Sequence, residues 1–344
     1  MNLPKLSNTI KYKIPFLFCI LLVAGLCYGF FFGDLSRRQE TVYLYVDADD
    51  NVDSIIHKLR PIAHKVPWNG FSTLARHSHL RHNTHPGRYA VEPDMGALTL
   101  FRHIRSGLQE PIKLTIPTVR TTDRLAGALS KKLMLDSLTI AEALTNPDTC
   151  RNYGLDTLNI IGMFLPFTYE VYWTVDMHQL LRRMQHESNT FWNKARQDKA
   201  AALGLTREQV ITLASIVDEE TNATKEKARI AGLYYNRLQR NIPLQADPTV
   251  KYAMGNFQLR RIYNSMLRTD SPYNTYMYRG LPPGPIRIPT TEAVDAVLDM
   301  ERHNYLYMCA SPEFDGTHRF AENFAEHQRN AQQYAKALNQ RGIK

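Results

Sequence analysis

The sequence predicts an α+β protein in three successive parts: an apolar N-terminal helix, a small α+β unit, and a larger mixed α/β domain. Three observations carry this. Ile14 to Gly33 is uncharged and rich in Phe, Leu and Ile. Residues 41–116 alternate short β-branched or aromatic runs with short helical runs. Beyond Thr122 the apolar residues fall mainly at helical spacing, with strands returning late in the chain.

A chain of 344 residues can hold two or three domains. Its 44% hydrophobic and 22% charged content is that of a folded globular protein. The net charge of +9 suggests an anionic partner such as a membrane surface or an acidic polymer. That charge is spread without a Lys/Arg tract, so nucleic-acid binding has no local support. Of four cysteines, Cys19 and Cys27 lie in the apolar segment. Cys150 and Cys309 either form one disulfide or remain two thiols, and no metal-ligand spacing occurs.

The apolar run of about 20 residues is long enough to span a bilayer and exceeds a signal-peptide core of about 7–15. No small-x-small cleavage site follows, and Leu26 before Cys27 argues against a lipoprotein signal. Lys5, Lys11 and Lys13 precede the run, and Arg37 and Arg38 follow it. The short tail favours a single-pass anchor: residues 1–13 cytoplasmic, 14–33 spanning, and everything after Ser36 outside.

In the 41–116 unit, Thr41 to Val46 reads as a strand by its β-branched and aromatic content. Asp53 or Ser54 can cap a short helix that Pro61 ends. Phe71 to Arg76 suggests a helical turn, and Pro86-Gly87 a turn into a strand through Val91. Met95 to Ser106 is a helix closed by Gly107, and Ile112 to Ile116 a strand ended by Pro117.

The 117–344 domain opens with helical Thr122–Leu135 and Leu138–Leu144, then a loop-rich stretch from Pro147 to Gly162. Met163 to Trp173 holds five aromatics in eleven residues, which fits either a buried strand pair or one wall of a cleft. Met177 to Lys199 reads as one long polar helix. Thr206 and Gln209 then form a capping box for a helix that carries Leu213-Ala-Ser-Ile-Val-Asp218-Glu219-Glu220.

These three acids are not equivalent. At about 100° per residue with Leu213 at zero, Val217 falls at about +40°, Ile216 at about −60° and Glu220 at about −20°. Glu220 therefore shares the apolar stripe, while Asp218 and Glu219 point away from it. A carboxyl on a buried face has a raised pKa, which is what a general acid needs near neutral pH. The plain alternative ends the helix before Glu220 and leaves all three acids in solvent.

Lys225 to Arg240 is a second helix with Ile230, Leu233, Tyr234 and Leu238 on one side. Stiff surface loops follow: Pro243–Val250, leading into a helical Lys251–Met254, then Ser271–Tyr276 and Gly280–Ile286. A helix from Thr290 to Glu301, a strand at Tyr305–Met308, a turn into a strand over Gly316–Phe320, and a last helix with Tyr334 and Leu338 apolar complete the chain.

Five motifs occur in order: Leu213-Ala-Ser-Ile-Val217-x-x-Glu220-Thr221, Leu244-Gln245-x-Asp247-Pro-Thr-Val250-x-Tyr252, Tyr273-Asn274-Thr275-Tyr276, Gly280-Leu-Pro-Pro-Gly-Pro-Ile286 and Gly316-x-His318-x-Phe320. Together they resemble the YceG-like endolytic lytic transglycosylases, over roughly residues 41–340. The resemblance implies a LysM-like subdomain at 41–116 and a catalytic domain at 117–344. It implies a membrane-anchored, extracytoplasmic enzyme that cuts MurNAc-β-1,4-GlcNAc bonds within peptidoglycan strands and leaves 1,6-anhydroMurNAc ends. It also implies work beside peptidoglycan synthases. No cofactor is expected, and His318 with no nearby His or Cys does not suggest a metal. The family's catalytic glutamate falls on Glu220. Gln245, Asp247, Tyr252, Tyr273, Asn274, Tyr276 and His318 become candidates for holding substrate.

Two departures stand out. The family usually has Glu and Lys before the catalytic residue, where this chain has Asp218 and Glu219; a more acidic helix end would raise the Glu220 pKa further. Phe167 stands where the family favours Asp or Asn. Two other readings stay open on these residues. One is a hydrolase with Asp247 as second carboxylate. The other is a non-catalytic wall-binding scaffold.

Overall fold

The computed structural model describes residues 8–78, 84–259 and 261–341. Lys5 of the tail and the last three residues lie outside the described residues. Two compact units are present: Met1–Lys113 with Glu170–Val175, and Leu114–Tyr169 with Asp176–Lys344. The fold is mixed α+β, as expected.

The first unit begins with α1 (Asn8–Phe31), whose Lys13–Phe31 stretch is long and apolar enough to cross a bilayer, with none of it buried. This is compatible with a single-pass anchor. β1 (Val42–Val46) and β2 (Gly87–Val91) pair antiparallel, Val42 opposite Val91. Between them lie α2 (Val52–Leu59) and α3 (Lys65–His77). Asn51, not Asp53 or Ser54, is the N-cap of α2; it accepts from the Ser54 N–H while the Ser54 hydroxyl accepts from the Asn51 N–H. Helix α3 is longer than the turn expected at Phe71–Arg76, because Phe71 and Ala75 bury one face of it. Gly70 is required there: a Cβ would meet the Phe30 carbonyl at 1.9 Å. α4 (Ala97–Ser106) ends at Gly107, which takes the left-handed conformation at φ 67°. Leu44, Ile55, Leu59, Phe71, Tyr89, Leu100 and Ile104 form the core, each 3% exposed or less. Burial of each such side chain contributes about 1.5–3 kcal/mol.

β3 (Ile112–Thr115) and β4 (Thr168–Val171), both on the boundary, form a two-stranded pair, and the second unit holds α5 (Thr122–Ser130) and α6 (Ser137–Thr145). The stretch read as loop-rich contains α7 (Pro147–Asn152), because Asn146 caps it and Pro147 is preset for a first helical turn. The part of the aromatic segment in this unit is mainly core: Phe164 and Tyr169 are buried. The single polar helix expected at 177–199 is two, α8 (Met177–Phe191) and α9 (Lys194–Ala202). Trp192 is buried at the break and Asn193 caps α9 by accepting from the Arg196 N–H.

At the centre is α10 (Arg207–Glu220), with the expected Thr206/Gln209 capping box. It packs against α9, α11 (Thr224–Gln239), α12 (Asp247–Ala253) and α13 (Thr291–Leu298). Every residue from Val210 to Asp218 is buried. β5 (Tyr307–Ala310) and β6 (His318–Ala321) pair antiparallel beside α14 (Phe324–Gln340). The Pro/Gly-rich loop clamps α10: the Ile286 N–H donates to Ser215 Oγ at 3.0 Å. Gly284 cannot carry a side chain, since a Cβ would lie 2.6 Å from the Leu158 carbonyl.

Candidate active site

Because α10 is enclosed on several sides, its acids do not divide into one buried and two solvated, as a single apolar stripe would require. Asp218 is not solvated; it is 6% exposed and the most buried of the three. Lys227 Nζ lies 2.5 Å from its Oδ1, and Thr290 donates to it through its N–H at 3.0 Å and its hydroxyl at 2.8 Å. Burial pushes the Asp218 carboxyl up, but the Lys227 and Thr290 bonds outweigh it and hold the pKa below the ordinary value. Glu219 is paired with Arg120 at 2.7 Å and Arg287 at 3.1 Å. Both preceding acids thus have cationic partners, and of the two only Glu219 adds to the Glu220 pKa, as the last of its contributions.

Glu220 is the last residue of α10 and lines a cavity of about 380 Å³. The Tyr234 hydroxyl, from α11, donates to its Oε1. Burial pushes the Glu220 carboxyl up to about 7; the Tyr234 bond opposes this, Asp247 and Glu219 add to it, and Lys251 subtracts. A helix C-terminus disfavours an anion in addition. The group is thus poised to exchange a proton near neutral pH.

Gln245, Asp247, Tyr276 and His318 line the same cavity. Tyr276 donates to Asp247 Oδ1 at 2.6 Å. His318 is fixed by Glu226, which accepts from its N–H at 2.9 Å and contacts Nδ1 at 3.0 Å. Gln245 has φ 56°, a left-handed conformation that is uncommon for a non-glycine residue and costs about 1–3 kcal/mol. Thr275 holds that strained turn: its carbonyl accepts from the Gln245 N–H at 3.0 Å and its hydroxyl from the Ala246 N–H at 3.1 Å.

Three expected site residues are placed elsewhere. Tyr252 and Tyr273 pack ring to ring at 4.6 Å, and Tyr252 borders a separate small cavity beside Glu219. Asn274 is fully buried and braces its own loop: it donates to the Leu267 and Thr269 carbonyls and accepts from the Tyr276 N–H. It shapes the turn that carries Tyr276 and does not reach the cavity. No residue of the aromatic segment lines the cavity either. The cavity includes Cys309, and both Cys150 and Cys309 are free thiols.

Two residues that sequence reasoning passed over belong to the site. Tyr234 looks apolar by its helical position, yet its hydroxyl meets Glu220. Arg237, three residues further along α11, is 6% exposed and borders the cavity. It donates to the carbonyls of Pro243 at 2.9 Å and Leu306 at 2.8 Å, and to Gln245 Oε1. The i, i+3 spacing of Tyr234 and Arg237 places both on one face of α11, and that was the available signal.

The model of the YceG-like family matches residues 44–333. The chain belongs to this family. It is 26% identical to a protein of Streptococcus pneumoniae (strain ATCC BAA-255 / R6) over 95% of this chain and 66% of that one. It is 31% identical to a Bacillus subtilis (strain 168) protein over 57% of this chain and 54% of that one. Both relatives are named endolytic murein transglycosylases. The chain thus spans about two thirds or less of the length of these relatives. A crystal structure of a YceG-like protein from Listeria monocytogenes is similar with a TM-score of 0.58 and 25% identity, covering 85% of this chain and 99% of that one.

Proposed function

We propose that this YceG-like chain is a membrane-anchored endolytic lytic transglycosylase of peptidoglycan. The observation that carries the reading is Glu220: one carboxyl with a pKa raised to about 7, held by Tyr234 in the lining of an open cavity. On this reading residues 1–13 are cytoplasmic, 14–33 span the membrane, 41–116 are a LysM-like subdomain, and 117–344 are catalytic and extracytoplasmic. The strand–helix–helix–strand order of the first unit supports a wall-binding role for it. Nascent strands beside peptidoglycan synthases are the proposed substrate.

One acid is enough for this reaction. Protonated Glu220 gives its proton to the glycosidic oxygen as the MurNAc C1–O bond breaks. The C6 hydroxyl of the same sugar attacks C1, and its proton returns to the Glu220 carboxylate. No water enters, and the intramolecular attack has a high effective molarity. Asp247 shares the cavity and keeps a hydrolytic reading alive, with water attacking in place of the C6 hydroxyl. Mass spectrometry of products from uncross-linked glycan separates the two. The expected result is 1,6-anhydroMurNAc ends; reducing ends would establish hydrolysis, and intact strands a scaffold.

The Tyr234 bond stabilises the charged form of Glu220, so its removal raises the Glu220 pKa further. Tyr234→Phe should shift the alkaline limb of the pH–rate profile to higher pH. It should also lower kcat about tenfold, in line with the loss of a hydrogen bond to a charged group. An unmoved limb would show that Tyr234 does not govern this proton.

A further inference from the structure

Arg237 and Gln245 form a pair that the reaction itself does not explain. The Arg237 guanidinium is buried in the wall of the cavity and has no carboxylate partner among the described residues. Its three acceptors are two main-chain carbonyls and Gln245 Oε1. A guanidinium only donates, so the carboxamide of Gln245 has one orientation: oxygen to Arg237, nitrogen away from it. Among the described residues no hydrogen bond uses that nitrogen. The backbone of Gln245 is held at φ 56°, and the residue lines the cavity that contains Glu220. Strain of this kind persists where the surroundings over-determine it, and here Thr275 and Arg237 do so.

We propose that Gln245 recognises the acetamido carbonyl of a substrate sugar, its carboxamide held donor-outward by Arg237. The inference rests on the reading of the cavity as a glycan site. An outward N–H pair suits a carbonyl acceptor. On a de-N-acetylated sugar it meets an ammonium, so donor faces donor and neither is satisfied. A site built around a specific hydrogen bond discriminates strongly against a ligand that cannot complete it. Gln245 is thus a specificity-determining residue and Arg237 a positioning residue. Strands modified by de-N-acetylation would be poor ligands.

The test is the affinity of the full chain for hexamers of N-acetylglucosamine against hexamers of glucosamine. Wild type should prefer the acetylated oligomer by about tenfold or more. Gln245→Gly removes the side chain at a positive φ where glycine is unstrained, so the fold should be retained. That variant should bring the ratio within about threefold, and Arg237→Lys should give an intermediate ratio. Any glycan binding by the first unit is common to wild type and variants, so the change in the ratio between them, not the ratio itself, reports on Gln245. A wild-type ratio near one, or a Gln245→Gly ratio equal to that of wild type, would overturn the inference. Failure of the wild type to release anhydro ends would instead overturn the proposed reaction, and the binding ratio would still decide the role of Gln245.

Discussion

If the proposed reaction holds, Glu220→Gln should release no 1,6-anhydroMurNAc ends above background, a loss of about 10³-fold or more, because in that reaction one carboxyl serves as acid and then as base. The variant should nevertheless fold, and its stability should depend on pH in a defined direction. The folded-state carboxyl has a pKa of about 7 against an ordinary 4.5. The native state therefore holds a proton that the unfolded state loses between these values. The stabilising contribution is fully present below 4.5 and declines as pH rises to about 7. At about 1.36 kcal/mol per unit, the cost to wild type at pH 8 is about 3 kcal/mol relative to acid conditions. The carboxamide that replaces Glu220 has no proton to lose and can still accept from Tyr234. The variant should thus be more stable than wild type at pH 8 by up to about 3 kcal/mol, with the gain vanishing near pH 4. Urea melts at the two pH values check this. An inactive variant that is also less stable at pH 8 would mean that Glu220 is structural.

Much of the central helix is visible in the chain itself. The Thr206/Gln209 box sets its start, the apolar run sets its body, and it ends at Glu220 as the apolar pattern suggests. These are local signals, carried by residues three or four apart. The environment of the acids is not local. Asp218 is paired with Lys227 nine residues away and accepts hydrogen bonds from Thr290 seventy-two residues away. A single buried stripe singles out Glu220, yet α10 has no single stripe, because four helices surround it. Tyr234 was hidden for the same reason: its hydroxyl reaches Glu220 only through the packing of α10 on α11. The loop motifs mix two kinds of residue that spacing cannot separate. Asn274 braces a turn, while Tyr276, two positions on, faces the cavity. The break between α8 and α9 is a further case, since a buried Trp192 overrides a continuous polar pattern.

Lys227→Met should be among the most destabilising single changes in the second unit. Lys227 and Asp218 are both 6% exposed, and their side chains join α11 to α10 at 2.5 Å. Removing one partner leaves a buried carboxylate without its main counter-charge, which costs about 3–5 kcal/mol. Thr290 still supplies two donors and Arg287 Nε remains 3.7 Å away, so the lower end of that range is expected. The pH dependence identifies the cause. In wild type the Asp218 pKa lies below its ordinary 3.8, so its contribution is present above 3.8 and is lost as pH falls below it. Without Lys227, burial dominates and the carboxyl takes up a proton at higher pH, which relieves the buried charge. The difference between variant and wild type should therefore be largest at pH 7 and shrink toward pH 4. Asp218→Leu combined with Lys227→Met removes both charges and should recover most of the loss, because no unpaired ion remains. The same pair fixes α10 against α11, the two helices that bring Glu220 to Tyr234. Activity of the single variant should therefore fall further than its folded fraction, and a strict proportion between the two would show that the pair stabilises the fold without setting the geometry of the acid.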